Sequence, residues 1–368
     1  MKKSYLMIAA AAALFAACSN NDTFKEVANE EVAIDFANGY IEKTTKAELT
    51  NDWFKENNNN FGVYGYKGST RIFDNEEVKW VENDNDWKHT TKRFWDKASS
   101  AYEFYAYAPY GQTATFSDTD KKFGFTNIVA KPIVNITTDN ADLAIATPLT
   151  GISYDHCTNK NAAGHGAGHV EFIFNHVLSK LSFYIKTNLN VKSDLSGDVQ
   201  ELKVNAISLD FPTATSASWA QSNASGVSGT VTYDGYQAKD GIDGTTGKEI
   251  PANYETVVLS GASTDVTNAA TQIGNVFIVA PVTSSGTSAE HIFGVKVDYT
   301  IKYNDNVTES SSAYGVIGGG NGTTGTQYKP AQNTNYGITL NINPESIEFC
   351  VNKIENWATE TTLNTDVK

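Results

Sequence analysis

Apolar and polar positions alternate in twos along most of this chain. Val32, Ile34 and Phe36 fall on one face of an extended segment, with Ala33, Asp35 and Ala37 on the other, the pattern of a half-buried strand. The alternation returns at FGVYGY (61–66), VKWVE (78–82) and AYEFYAYAPYG (101–111). Stretches 57–60 and 83–86, rich in Asn and Asp, read as turns, and Pro109 closes a strand because it has no N–H for a ladder. One short helix is predicted over 46–55, where Leu49 and Trp53 lie four apart. The pattern lapses over 155–169, DHCTNKNAAGHGAGH, and a domain junction is placed there. It resumes with Val170, Phe172 and Phe174, breaks over 175–180, and continues with Leu181, Phe183 and Ile185. Further strands are predicted at 276–282, 291–303, 336–342 and 346–354, and the polar stretches 234–248 and 315–332 read as exposed loops. Many short strands with Gly, Asn and Asp turns, and no strand–helix alternation, predict an all-β chain of antiparallel sandwiches. The division falls into 32–165 and 166–368.

The first 17 residues have a different character. Lys2 and Lys3 precede an apolar run over 5–15, too short to span a bilayer as a stable helix. Ala16 and Ala17 then lead to Cys18. An apolar run closed by small residues and Cys resembles the lipobox of bacterial lipoproteins. That implies a signal peptide of residues 1–17, cleavage before Cys18 and acylation of Cys18. Several acyl chains on one residue anchor durably, whereas a single chain binds only marginally. Losing residues 1–17 removes Lys2 and Lys3, which moves the formal charge from −14 to −16. No later segment approaches eighteen apolar residues, and 18–31 reads as a polar tether to an extracytoplasmic remainder.

Charge and composition narrow the function. With 28 Lys+Arg against 42 Asp+Glu, the chain lacks the cationic footprint that a phosphate backbone requires, which excludes nucleic acid as a partner. Charged residues at 19 % and hydrophobic ones at 40 % are the mix of a packed protein, not a disordered one. Three Cys exclude a disulfide scaffold; Cys157 and Cys350 remain after Cys18, and a disulfide or two free thiols are equally open. His156, Cys157, His165, His169 and His176 cluster in a Gly/Ala-rich stretch and not on one helix face, so a solvated junction loop is expected there and no metal site. Gly320, Gly322 and Gly325 spell a dinucleotide fingerprint without its flanking strand and helix. Asp240, Asp243 and Glu249 form an oxygen-rich loop without calcium-loop spacing. No nucleophile elbow, zinc helix or acid–base pair emerges, and neither enzymatic activity nor a cofactor is expected. Among the tryptophans Trp80, Trp87 and Trp95, the last reads as core. Trp87, in a charged Asn/Asp turn, is the better candidate for a binding surface.

Several segments together resemble the fimbrillin family, the type V pilins of surface fimbriae. They are IDF (34–36), TKAEL (45–49), FGVYGY, EFYAYAPY (103–110), FIFNHVLSKLSFYI (172–185), FIVAPV (277–282) and IEFCVNKIENW (347–357). The resemblance implies two tandem transthyretin-like β-sandwich domains, export as a lipoprotein, and cleavage by a trypsin-like protease in the loop after the first strand. That cut falls between Lys46 and Ala47, with Lys46 where family members usually carry Arg. The strand through Val32, Ile34 and Phe36 would then leave, and a strand from another subunit would fill the groove. The implied partners are other fimbrial subunits, the outer membrane through the lipid anchor before maturation, and host or bacterial surface ligands. The implied location is a cell-surface fimbrium, reached from an outer-membrane lipoprotein precursor. The alternative is a surface lipoprotein that stays anchored and acts as a glycan- or host-protein-binding adhesin. The tail 358–368 sets Thr359, Thr361, Leu363, Thr365 and Val367 on one side of an extended strand, without Gly or Pro. Some family stalk subunits donate a C-terminal strand. Leu363 and Val367 are therefore expected to plug sockets in the preceding subunit, a frayed end being the other reading.

Overall fold

The computed structural model describes residues 32–41, 60–84, 86–112, 114–128, 133–134, 142–155, 165–166, 169–212, 216–234, 254–260, 263–279, 291–318, 331–343 and 346–354. Strands β1 (Phe36–Ile41), β2 (Asn60–Lys67), β3 (Thr70–Val81), β4 (Asp86–Lys88), β5 (Tyr102–Ala108), β6 (Ala114–Ser117), β7 (Lys122–Ile128) and β8 (Ile133–Val134) come first. There follow β9 (Ala144–Ala146), β10 (Leu149–Ile152), β11 (His165–Gly166), β12 (His169–His176), β13 (Leu178–Lys186), β14 (Glu201–Pro212), β15 (Ser216–Gln221) and β16 (Gly229–Asp234). The last are β17 (Tyr254–Ser260), β18 (Thr264–Asp265), β19 (Thr271–Val279), β20 (His291–Lys302), β21 (Thr308–Gly318), β22 (Asn335–Asn343) and β23 (Ser346–Ile354). The chain is all-β, as the alternation predicts. The helix expected over 46–55 lies outside the described residues.

The first sheet runs β1-β12-β9-β5-β2-β3-β4, with β10 beside β5 and β11 beside β12. It is apolar on both faces, which is why FGVYGY and EFYAYA read as nearly continuous apolar runs. One face buries Phe61, Val63, Phe73, Phe104, Phe172 and Phe174. The other buries Tyr64, Tyr66, Tyr105 and Tyr107 against Phe125 and Trp219 of a four-stranded sheet, β16-β15-β7-β6. Gly62 permits this packing, because a Cβ there would collide with the Tyr107 ring. The sheet curls until its two edges meet: His89, just past β4, sets its ring 5.2 Å from Phe36 of β1.

The junction expected at 165/166 falls on β11, and the first sheet runs on past it through β12 to His176. There the chain crosses between cores. Val177 belongs to the tyrosine-rich core, and Leu181, Phe183 and Ile185 of β13 enter another. Fully buried His176 and Asp142 meet through Nδ1 and Oδ2 at this crossing. Beyond it, the sheet β23-β22-β13-β19-β8 faces the sheet β17-β14-β20-β21, with β18 beside β14. Phe183 and Ile338 from the former pack with Leu209, Val297 and Ile301 from the latter. Of the stretch 315–332 expected as a loop, residues 315–318 belong to β21 and pair with β20 as far as Gly318, and 319–330 lie outside the described residues.

Candidate functional site at the N-terminal strand

The segment from Val32 to Ile41 closes the curl of the first sheet. On one side Trp95 N–H donates to the Val32 carbonyl at 2.9 Å, and Ile34 N–H donates to the Arg93 carbonyl at 2.8 Å. On the other, Val170 N–H donates to the Asp35 carbonyl at 2.9 Å. Ala33 and Phe94 form an isolated antiparallel bridge. From Phe36 onward β1 runs parallel to β12, and its register slips between Ala37 and Tyr40 where one extra residue bulges. The strand expected through Val32, Ile34 and Phe36 is thus built in two pieces, an isolated bridge and then a bulged parallel ladder.

Its apolar side chains are deep in the core. Ile34 is fully buried, Phe36 is 1 % exposed, and Val32 is half-buried. The Phe36 ring stands edge-on to Phe73 at 5.1 Å and Phe104 at 5.8 Å, and stacks on Phe172 at 6.0 Å. Burial of each such side chain contributes about 1.5–3 kcal/mol.

Asp35 points the other way, to a polar cluster. The His89 ring, its side chain 7 % exposed, donates from Nε2 to Asp35 Oδ1 at 3.3 Å, and its Nδ1 lies 3.9 Å from Glu76 Oε1. Glu76 accepts from the backbone N–H groups of Thr90 and Thr91, each at 2.7 Å, and from the Thr91 hydroxyl at 2.5 Å. The hydrogen bond from His89 holds the Asp35 carboxyl below its ordinary 3.8 against the opposing effect of burial. Burial pushes Glu76 up, but the hydrogen bonds from Thr91 and Thr90 outweigh it and leave the carboxyl below 4.5.

Trp87 is not a binding surface. It is 5 % exposed and packs against Phe61 at 5.3 Å and Trp80 at 5.6 Å. The charged turn ends where β4 pairs with β3, and period two sends Trp87 inward while Asp86 and Lys88 pair outside. Trp95 is core, with Tyr102 at 4.8 Å. Trp80 donates to Glu82 at 2.8 Å. The stretch expected as a solvated histidine loop is in part a tight pairing, with His165 opposite Val170 and Gly166 opposite His169. Among the described residues no group of three or more His, Cys, Asp or Glu is placed to hold a metal. Cys350 sits on β23 opposite Thr339. Cys18, Lys46, Ala47, Cys157, Leu363 and Val367 lie outside the described residues, as do the loops around Asp240 and Gly320. His89 and Glu76 belong to no motif the sequence displays; only the curl of the sheet brings them to Asp35.

A model of the fimbrillin-like family matches residues 45–357. The chain is a fimbrillin-like protein. The N-terminal strand and the tail 358–368 fall outside the matched span. Among solved structures, the chain is similar to a fimbrial protein from Bacteroides vulgatus, at 19 % identity and TM-score 0.48, over 89 % of this chain and 99 % of that one. It is also similar to the tip fimbrial protein Mfa3 of Porphyromonas gingivalis, at 11 % identity and TM-score 0.36, over 88 % and 98 %. No curated protein sequence matches it. Fimbrillin-like proteins are structural and non-enzymatic, and this one belongs with the subunits of cell-surface fimbriae.

Proposed function

We propose that this fimbrillin-like protein is exported as a lipoprotein through Cys18, cut between Lys46 and Ala47, and polymerised when a strand of another subunit replaces its first strand. The observation that carries this reading is the placement of Ile34 and Phe36. Two deeply buried core side chains come from a segment on the N-terminal side of the cut, at the edge where the sheet closes. Its departure leaves the Arg93 carbonyl and the N–H groups of Trp95 and Val170 without their partners, above empty apolar sockets. An incoming strand satisfies the ladder and fills the sockets in one step, which supports a nearly irreversible joint. Lys46→Gln tests the cut: the variant is expected to accumulate as uncleaved monomer. Polymers forming equally well from it would contradict maturation at this position.

A further inference from the structure

We propose that the hairpin of β15 and β16 is a brace that keeps the seat of the first strand in shape while that seat stands empty, with Trp219 and Gln332 as its positioning residues. This rests on the strand-exchange reading above. Between the loss of one strand and the arrival of the next, the core that held Ile34 and Phe36 is open along one edge of the first sheet. An open core beneath unpaired ladder groups tends to collapse or to pair with a wrong edge. Strands β2, β5 and β9 are shared between that core and the tyrosine-rich one. Val63, Phe104 and Ala144 face the seat, whereas Tyr64, Tyr105 and Ile145 face away from it. Among the described residues, none that precedes the cut belongs to the tyrosine-rich core.

What seals that second core comes from the other half of the chain. Strands β15 and β16 lie in sequence between β14 and β17, two strands of the second sandwich, yet they leave it to pair with β7. Trp219 stands opposite Phe125 in that pairing, its ring 5.7 Å from the Phe125 ring, which lies 5.5 Å from Tyr107 of β5. Gly229 makes room for the indole, since a Cβ there would come within 2.0 Å of it. Buried Gln221 accepts from Phe123 N–H at 2.9 Å and donates to the Gly226 carbonyl, which joins β7 to the hairpin loop. Gln332 ties the same loop back to the second sandwich. Its amide donates to the Val227 carbonyl and accepts from Gly229 N–H at 3.1 Å. Its neighbours are fixed to β13: Asn333 N–H donates to the Leu178 carbonyl, and Lys180 N–H to the Thr334 carbonyl, each at 3.0 Å. The sheet behind the seat is therefore held by an element anchored in the second sandwich, which the departure of the first strand leaves in place.

The test uses the full chain, cleaved and stripped of its first strand, stored, and then given a fluorescent peptide of residues 30–41, with capture read by anisotropy. The wild type is expected to lose its capacity slowly during storage. Gln332→Ala, at a half-buried position, should lose it about three- to tenfold faster. Gly229→Ala, which displaces Trp219, should lose it faster still. The same variants stored uncleaved for the same time, and stripped only afterwards, should capture as well as the wild type, because the first strand keeps the seat filled meanwhile. Equal losses for Gln332→Ala and the wild type would overturn the brace. So would equal losses of Gln332→Ala with and without its first strand, which mark an ordinary contribution to stability. Should Gly229→Ala fail to fold uncleaved, Gln332→Ala still decides. Failure of freshly stripped wild type to capture the peptide would remove strand exchange, and the empty seat with it.

Discussion

Phe36 shows how much one residue near a strand's end can hold. Its ring touches Phe73, Phe104, Phe172 and His89, from three other elements of the sheet and the segment after β4. Phe36→Ala in the uncleaved chain is expected to cost about 3–5 kcal/mol in urea denaturation, because the closed curl cannot collapse onto the cavity. Leu195→Ala, at a position 52 % exposed, should stay within about 0.5 kcal/mol. Acid should act on the same corner through Glu76 and Asp35. Both carboxyls are held below their ordinary values, so their contribution is present above pH 4.5 and lost as pH falls through the depressed folded values. Glu76→Gln should therefore lower stability at pH 7 and flatten its decline between pH 5 and pH 3. An unchanged slope in thermal melts across that range would contradict the assignment. Trp87 marks the limit of reading residues one at a time. Its charged neighbours argue for exposure, yet a three-residue strand is enough to turn it inward.

Among the elements, β1 is expected to open first. It is an edge strand, joined to β12 by a parallel ladder with a bulge, and only the segment before it reaches the far side, through the single bridge of Ala33 to Phe94. In hydrogen exchange of the uncleaved chain, amides of Phe36–Ile41 should exchange well before those of the central strand β5, Tyr102–Ala108. Equal protection would mean that the first strand opens only with the whole sheet. Strands such as β2 and β5 are legible in the sequence because burial on both faces makes them apolar throughout. By contrast β14 hides: its register slips between Val204 and Ala206, so Leu202 and Val204 are out of phase with Ile207 and Leu209. The hairpin of β15 and β16 is equally silent, since its partner β7 lies some ninety residues earlier along the chain. Period two reveals a strand at 32–36 but not its partners, which are set by how the sheet curls.

At the scale of the whole molecule, the fold class and the family were legible, because alternation and an ordered set of packing motifs are spread over the chain. Half of the candidate site was legible too: Ile34 and Phe36 announce a buried face, whereas His89 and Glu76 reach it only through tertiary closure. The proposed life history makes demands on both ends. Cys18→Ala should abolish labelling by a palmitate analogue and delivery to the surface; normal surface assembly of that variant would contradict the lipoprotein step. Deleting 358–368 should leave monomer folding intact and shorten polymers, and unchanged polymer length would exclude the tail as donor strand. The central claim is that the first strand is discarded before assembly. Mass spectrometry of the N-terminus of this protein purified from surface fimbriae tests it most directly. The account predicts a chain that begins at Ala47; a chain that begins at acylated Cys18 and still carries Ile34 and Phe36 would contradict it.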